Sequence, residues 1–377
     1  MENKIIYFDN AAKSIPYDEV INVYNEATRK YFANPSSIHF QGVKTQRIID
    51  KCKDEIKSLL KMNNHQVVFT SSATEANNLA IKGFCLKYKK RGNHIITSEY
   101  EHPSVLEVLR QLEKEFGFEV TYLKPNKKGV IEVNDVINNI RHDTILVSIM
   151  AVNNEIGTIN PISEIAKELK KYPKIVFHVD AAQAIGKIDI AYQDVDMVSI
   201  SGHKTHGLVS SSALLIRKNL ELLPLFSGGE QEYGYRSGTV DVAMALALLE
   251  AIKISLKDLK AHYEKVSLLA DKLLNYLKNN PDLYEINSGT NPYIVNFSSR
   301  TKKGSVIVEA LSRKGIMVSS TSACSSYKQK GSYVVSSLGK DDNISLNTIR
   351  VSFSYLNELE EVDEFIDALK EIIGAIR

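Results

Sequence analysis

The chain is poor in cysteine: only Cys52, Cys85 and Cys324 occur in 377 residues. An odd number at wide spacing argues against a disulfide framework, and the lack of any Cys-x-x-Cys pair argues against a thiolate metal site. No apolar run approaches the roughly 18 residues a membrane span needs, and MENKIIYFDN lacks the basic-then-apolar pattern of an export signal. A cytoplasmic protein without a membrane partner is therefore expected. The formal net charge is only +2, without the excess of base that nucleic acid as the main ligand requires. Repeats and low-complexity linkers are also lacking.

What is present is ordinary for a soluble globular protein: 44% hydrophobic and 24% charged residues. The length exceeds a single core, so two domains are expected. Runs rich in Val and Ile (QVVFT, HIITSE, TILVSIMAV, KIVFHVD, DMVSIS, SALLIR) alternate with helical patterns such as 45–62, the signature of strands buried between helix layers. A doubly wound α/β domain over 15–255 follows. After a long helical stretch over 242–280 the elements shorten, ending in a helix over about 358–376, which predicts a smaller α+β domain of 1–14 plus 256–377.

Ligands of open α/β sheets lie beyond the C-terminal strand ends, and the unusual residues cluster there. TSSATEANN offers hydroxyls and free N–H groups at a helix start, capped by Ser72 or Thr74, which serve simple capping or a phosphate. Asp180 in HVDAAQ ends a buried strand, where a carboxylate needs a cation. A salt bridge or helix cap would provide for it, as would the protonated ring nitrogen of a heterocyclic cofactor. Lys204 in SGHKTHG either snorkels to the rim or serves as a Schiff-base amine. Together, Asp180, Lys204 and the hydroxyl cluster fit pyridoxal phosphate. His102, just before Pro103, either caps the next helix or stacks on the cofactor ring and moves protons. Cys324 sits in the polar stretch SSTSACSSYKQKGSY, which on local grounds is either a polar loop that happens to contain a thiol or the seat of a reactive cysteine. Cys52 and Cys85 fall in helical, apolar surroundings and read as buried structural residues.

In order along nearly the whole chain, YFDNAA, NPSSIH, FTSSATEANNLAIKG, SEYEHPSVLE, VNNEIGTI, HVDAAQAIGK, SGHKTHG, SGGEQEYGYRSGT, SSTSACSS and TIRVSFS resemble the NifS/IscS-type cysteine desulfurases of the class V aminotransferase fold. The resemblance implies a fold-type-I homodimer with a large mixed sheet, which uses pyridoxal phosphate to convert L-cysteine to L-alanine. It also implies roles by position. Lys204 forms the Schiff base and then removes the α-proton, Asp180 pairs with the ring nitrogen, and His102 stacks on the ring. Gln183 and Asn154 bond the phenolic oxygen region. Ala73, Thr74, Ser201 and His203 hold the phosphate, joined by Thr239 of the other subunit. Asn34 and Arg350 bind the substrate carboxylate, and Cys324 takes the sulfur as a persulfide for an acceptor protein in tRNA thiolation, Fe–S or thio-cofactor synthesis. The wording of SGGEQE and HGL leans toward tRNA thiolation in low-GC Gram-positive bacteria. The chain departs from the family pattern at GLVSSS (207–212), Thr321, Val240 and Asp241. Neighbouring readings are a selenocysteine lyase, a plain aminotransferase, or a non-catalytic homologue in which GLVSSS marks decay.

Overall fold

The computed structural model describes residues 4–320 and 331–375. Its centre is a seven-stranded sheet in the order His65–Thr70, Ser212–Arg217, Met197–Ser201, Val176–Asp180, Thr144–Ser148, His94–Ser98, Glu119–Leu123. Ser212–Arg217 runs antiparallel to both neighbours, and the other six strands share one direction. Four central strands are buried at every position, which explains why they read as continuous apolar runs. Alternate side chains enter opposite helix layers. Val67, Phe69 and Leu215 pack with the helices Phe40–Leu59, Ile162–Leu169 and Val242–Lys257, whereas Val68, Leu214 and Ile216 pack with Ala73–Asn78, Phe84–Tyr88 and Pro103–Phe116.

A second core lies around the antiparallel sheet Thr348–Ser352, Ile294–Ser299, Tyr284–Ile286, covered by the helices Leu259–Lys278, Gly304–Arg313 and Leu359–Ala375. Ile6, Phe8 and Ala11 belong to this core, and Ile6–Tyr7 pairs in parallel with Ile316–Met317. Val334, Val335 and Ile344, from the short helices Tyr333–Ser337 and Asp342–Leu346, instead pack on the large core.

Three elements differ from the sequence reading. The long helical stretch over 242–280 is two helices that break at Asp258 (φ −125°, ψ 37°), because the first buries its apolar face in the large core and the second in the small one. The run 144–152 is a strand only as far as Ser148, since Val152 leaves the sheet to bridge Ile159. Glu119–Leu123 carries no strong apolar signal because it is the edge strand and only Leu123 is buried. Ser72, rather than Thr74, caps its helix, with Oγ accepting the Glu75 N–H at 3.1 Å.

The GLVSSS departure keeps a tight turn. The Gly202 N–H donates to the Ser211 carbonyl at 2.6 Å, and Ser211 Oγ donates to the Leu208 carbonyl at 2.5 Å. A Cβ on Gly207 would meet the Gly202 backbone at 2.8 Å, so glycine is needed there. Ser210, exposed, takes φ +70°, a left-handed conformation that favours glycine. Ser210→Gly is expected to stabilise the protein by about 1 kcal/mol, seen as a higher urea midpoint. A lower midpoint would contradict this account of the turn.

Candidate active site

The parallel strands end on one edge, and their following turns bring a connected set of polar groups together. Asp180, the last residue of its strand, is buried. Its Oδ2 accepts Asn77 Nδ2–H at 2.8 Å and its Oδ1 accepts the Ala182 N–H at 3.0 Å. Among the described residues no lysine or arginine forms an ion pair with it, so the cation anticipated from the sequence is not a described side chain. Asn77 Nδ2 also donates to Ser104 Oγ at 2.9 Å, and Ser104 lies 2.8 Å from His102 Nδ1. His102 caps Pro103–Phe116, its Nδ1 accepting the Ser104 N–H at 3.1 Å. That bond leaves the proton of the neutral ring on Nε2. Burial first, and then the nearby Lys204, lower the pKa of His102 against the opposing pull of Asp180, which favours the neutral ring.

Lys204 ends the short helical turn Gly202–Lys204 that follows Met197–Ser201. Its Nζ donates to the carbonyls of Ala11 at 2.7 Å and Ala12 at 2.6 Å. Gln183 Nε2 donates to the same Ala11 carbonyl at 2.9 Å. Ser201 Oγ lies 2.9 Å from His203 Nδ1 and accepts from Ser212 Oγ at 3.2 Å. Burial, with Lys204 and Lys187 nearby, pushes the His203 pKa down to about 4. Ala73 and Thr74 open their helix, where backbone N–H groups lack intrahelical partners.

Arg350, on the central part of Thr348–Ser352, reaches across to this edge. Its Nη1 donates to the Asn154 carbonyl at 2.9 Å, and its Nη2 pairs with Asp9 Oδ1 at 3.0 Å. Ser319 Oγ also donates to Asp9 Oδ1, at 2.8 Å, and Ser319 and Arg350 exchange backbone hydrogen bonds. Beyond the segment 321–330, Ser332 Oγ donates to Glu155 Oε2 at 2.5 Å and Tyr333 Oη to the Glu101 carbonyl at 2.8 Å. The residues flanking that segment are thus fastened next to Asn154 and His102. Cys324 itself lies outside the described residues. Cys52 and Cys85 are free and buried, as anticipated, and burial drives the Cys52 pKa up to about 12.

Two candidates stay apart from this network. Asn34 is exposed, its Oδ1 accepting the Ser36 N–H at 2.9 Å, and it lines a separate hollow with Lys53 and Glu232. Thr239 is exposed, and among the described residues no hydrogen bond joins its side chain to the others. Its segment is nevertheless fixed by Arg236, whose Nε donates to Glu75 Oε1 at 2.9 Å. Asn77, Ser104, Asp9 and Lys187 were not singled out by sequence. Asn77 carried a usable signal, standing one helical turn after Ala73 and one before Ile81, on an otherwise apolar face.

Among the described residues, Asn77 Oδ1, Asn154 Oδ1 and Arg350 Nε are buried polar atoms without a hydrogen-bond partner. An unpartnered set of this kind, beside a buried carboxylate and a lysine amine, fits a polar heterocycle carrying an aldehyde, as pyridoxal phosphate does.

The aminotransferase class-V family model matches residues 6–365. A NifS/IcsS protein homolog from Lactobacillus delbrueckii subsp. bulgaricus is 38% identical over 374 residues, spanning 98% of this chain and 97% of that protein. A cysteine desulfurase IscS from Pectobacterium atrosepticum is 40% identical over 354 residues, spanning 92% of this chain and 86% of its own. A solved NifS-like protein matches with a TM-score of 0.91 at 32% identity, over 99% of this chain and all of the other. Motif order, fold and site agree with these similarities, and the chain belongs to the class-V aminotransferase family as a pyridoxal-phosphate-dependent cysteine desulfurase of the NifS/IscS type.

Proposed function

We propose that this protein desulfurates L-cysteine at the strand-end site, with Lys204 and Asp180 as its two fixed points and Cys324 as sulfur carrier. The observation that carries this reading is the convergence of the buried Asp180 carboxylate and the Lys204 amine on one sheet edge, both within electrostatic reach of His102. Asp180 would hold the ring nitrogen, His102 the ring face, Gln183 and Asn154 the phenolic side, and Ala73, Thr74, Ser201 and His203 the phosphate. Bound there, pyridoxal phosphate supplies an electron sink for the carbanion left when the substrate α-proton departs. Lys204 would take that proton at Nζ. Arg350 would orient the substrate carboxylate. The Cys324 thiolate forms an S–S bond with the substrate sulfur as the Cβ–S bond breaks, its electron pair remaining with the carbon fragment. Protonation of that fragment gives L-alanine, and the persulfide passes to an acceptor protein serving tRNA thiolation, Fe–S assembly or thio-cofactor synthesis.

The reading includes a cytoplasmic homodimer, with residues 15–255 as the cofactor domain and 1–14 plus 256–377 as the small one. The helix break at Asp258, between two separate cores, supports that division. Exposed Phe32, Ile38 and Phe40 beside Asn34, and Leu223 and Phe226 before Thr239, form apolar surface suited to a second copy. Thr239 would then reach the phosphate of the partner.

Mass spectrometry after incubation with L-cysteine should find one added sulfur on Cys324 and none in Cys324→Ser; an unmodified Cys324 would overturn the assignment. Asn77→Leu removes a hydrogen bond to a buried carboxylate and should destabilise the cofactor-free protein by about 2 kcal/mol, read from guanidinium denaturation, and weaken cofactor binding. Unchanged stability and affinity would contradict the role given to Asn77.

A further inference from the structure

Lys187 is a second buried lysine at this edge, and the roles above make no use of it. It follows Gly186, where φ is +74° and a Cβ would meet Ser255 Cβ at 2.6 Å, so the turn is forced inward and Lys187 is only 6% exposed. Its Nζ donates to Gln183 Oε1 at 3.1 Å, and among the described residues no other side-chain hydrogen bond is recorded for it. Gln183 in turn donates through Nε2 to the Ala11 carbonyl, the same oxygen that receives Lys204 Nζ. The sequence Lys187, Gln183, Ala11 carbonyl, Lys204 is therefore a continuous hydrogen-bonded line.

An amide side chain has two ends of similar shape, and only its partners decide which end faces where. A lysine amine bonded to the amide oxygen of Gln183 leaves the NH2 end for the Ala11 carbonyl, which also receives the Lys204 amine. Resting on the cofactor site proposed above, we propose that Lys187 is a positioning residue that fixes the Gln183 amide with its NH2 group on the side of the Ala11 carbonyl and Lys204, and thereby sets the proton affinity of the cofactor bound at Lys204.

The groups facing Lys187 are cationic or neutral. Lys204 and Arg350 act on it as cations, and His203 and His206 lie within its electrostatic reach. The phenols of Tyr17, Tyr293 and Tyr355 line the adjoining small cavity. Burial, aided by Lys204 and Arg350, lowers the Lys187 pKa to about 7. The native state then releases a proton that the unfolded chain keeps until its ordinary lysine pKa, so this group's contribution to stability rises from about pH 7 to about pH 10.

The test uses the cofactor-loaded enzyme and its visible absorbance. In Lys187→Met the pH midpoint of the cofactor band should move upward by about one unit, because the phenolic side loses an oriented donor. Lys187→Gln, which keeps a donor, should bring the midpoint back toward wild type. In a Gln183→Ala background, Lys187→Met should add no further shift. Denaturation of the cofactor-free protein gives a second readout: Lys187→Met should lose the rise in stability between about pH 7 and about pH 10. A midpoint unmoved in Lys187→Met, or a shift of full size in the Gln183→Ala background, would overturn the inference while leaving the site itself intact. A wild-type band that persists in Lys204→Ala would instead overturn the site on which the inference rests.

Discussion

A carboxylate at the end of a buried strand is the constraint around which this molecule is arranged. Asp180 is nearly inaccessible to water, and such a group persists only if hydrogen bonds and a positive partner replace its hydration. Asn77 and the Ala182 N–H provide the hydrogen bonds. The same Asn77 amide grips Ser104, which grips His102, so one carboxylate fixes the orientation of groups from two further strand ends. In the proposed reading, the positive partner is the protonated cofactor ring, which would gain there both binding energy and chemistry.

The fold supplies this arrangement by direction. Six of seven strands point the same way, so their turns accumulate at one edge. The N-terminal segment then ties the two cores across that edge. Ile6–Tyr7 pairs with Ile316–Met317, Asp9 holds Arg350 and Ser319, and the carbonyls of Ala11 and Ala12 hold Lys204. Residues more than 300 positions apart thus set the distance between the lysine and the arginine of one site.

Much of this was legible in the chain itself. Buried parallel strands announce themselves as unbroken Val and Ile runs, and Asp180, Lys204 and His102 stood out because polar groups directly beyond such runs need a reason. The edge strand Glu119–Leu123 was not legible, since an edge need not be apolar, and the break at Asp258 was hidden because both helices carry good helical periodicity. Asn77 and Lys187 were hidden for another reason: each acts through a neighbour, Asn77 on Asp180 and Lys187 on Gln183, and only coordinates show such a bond. Asn34 and Thr239 carry motif signals, but among the described residues neither joins the network around Asp180 and Lys204.

The central claim is that Asp180 makes the bound cofactor an electron sink. The most direct measurement is exchange of the Cα hydrogen of L-alanine with solvent deuterium, followed by NMR with cofactor-loaded protein. Steady exchange in the wild type and its collapse in Asp180→Ala, with cofactor still bound, is the predicted result. Exchange in Asp180→Ala at the wild-type rate would contradict it.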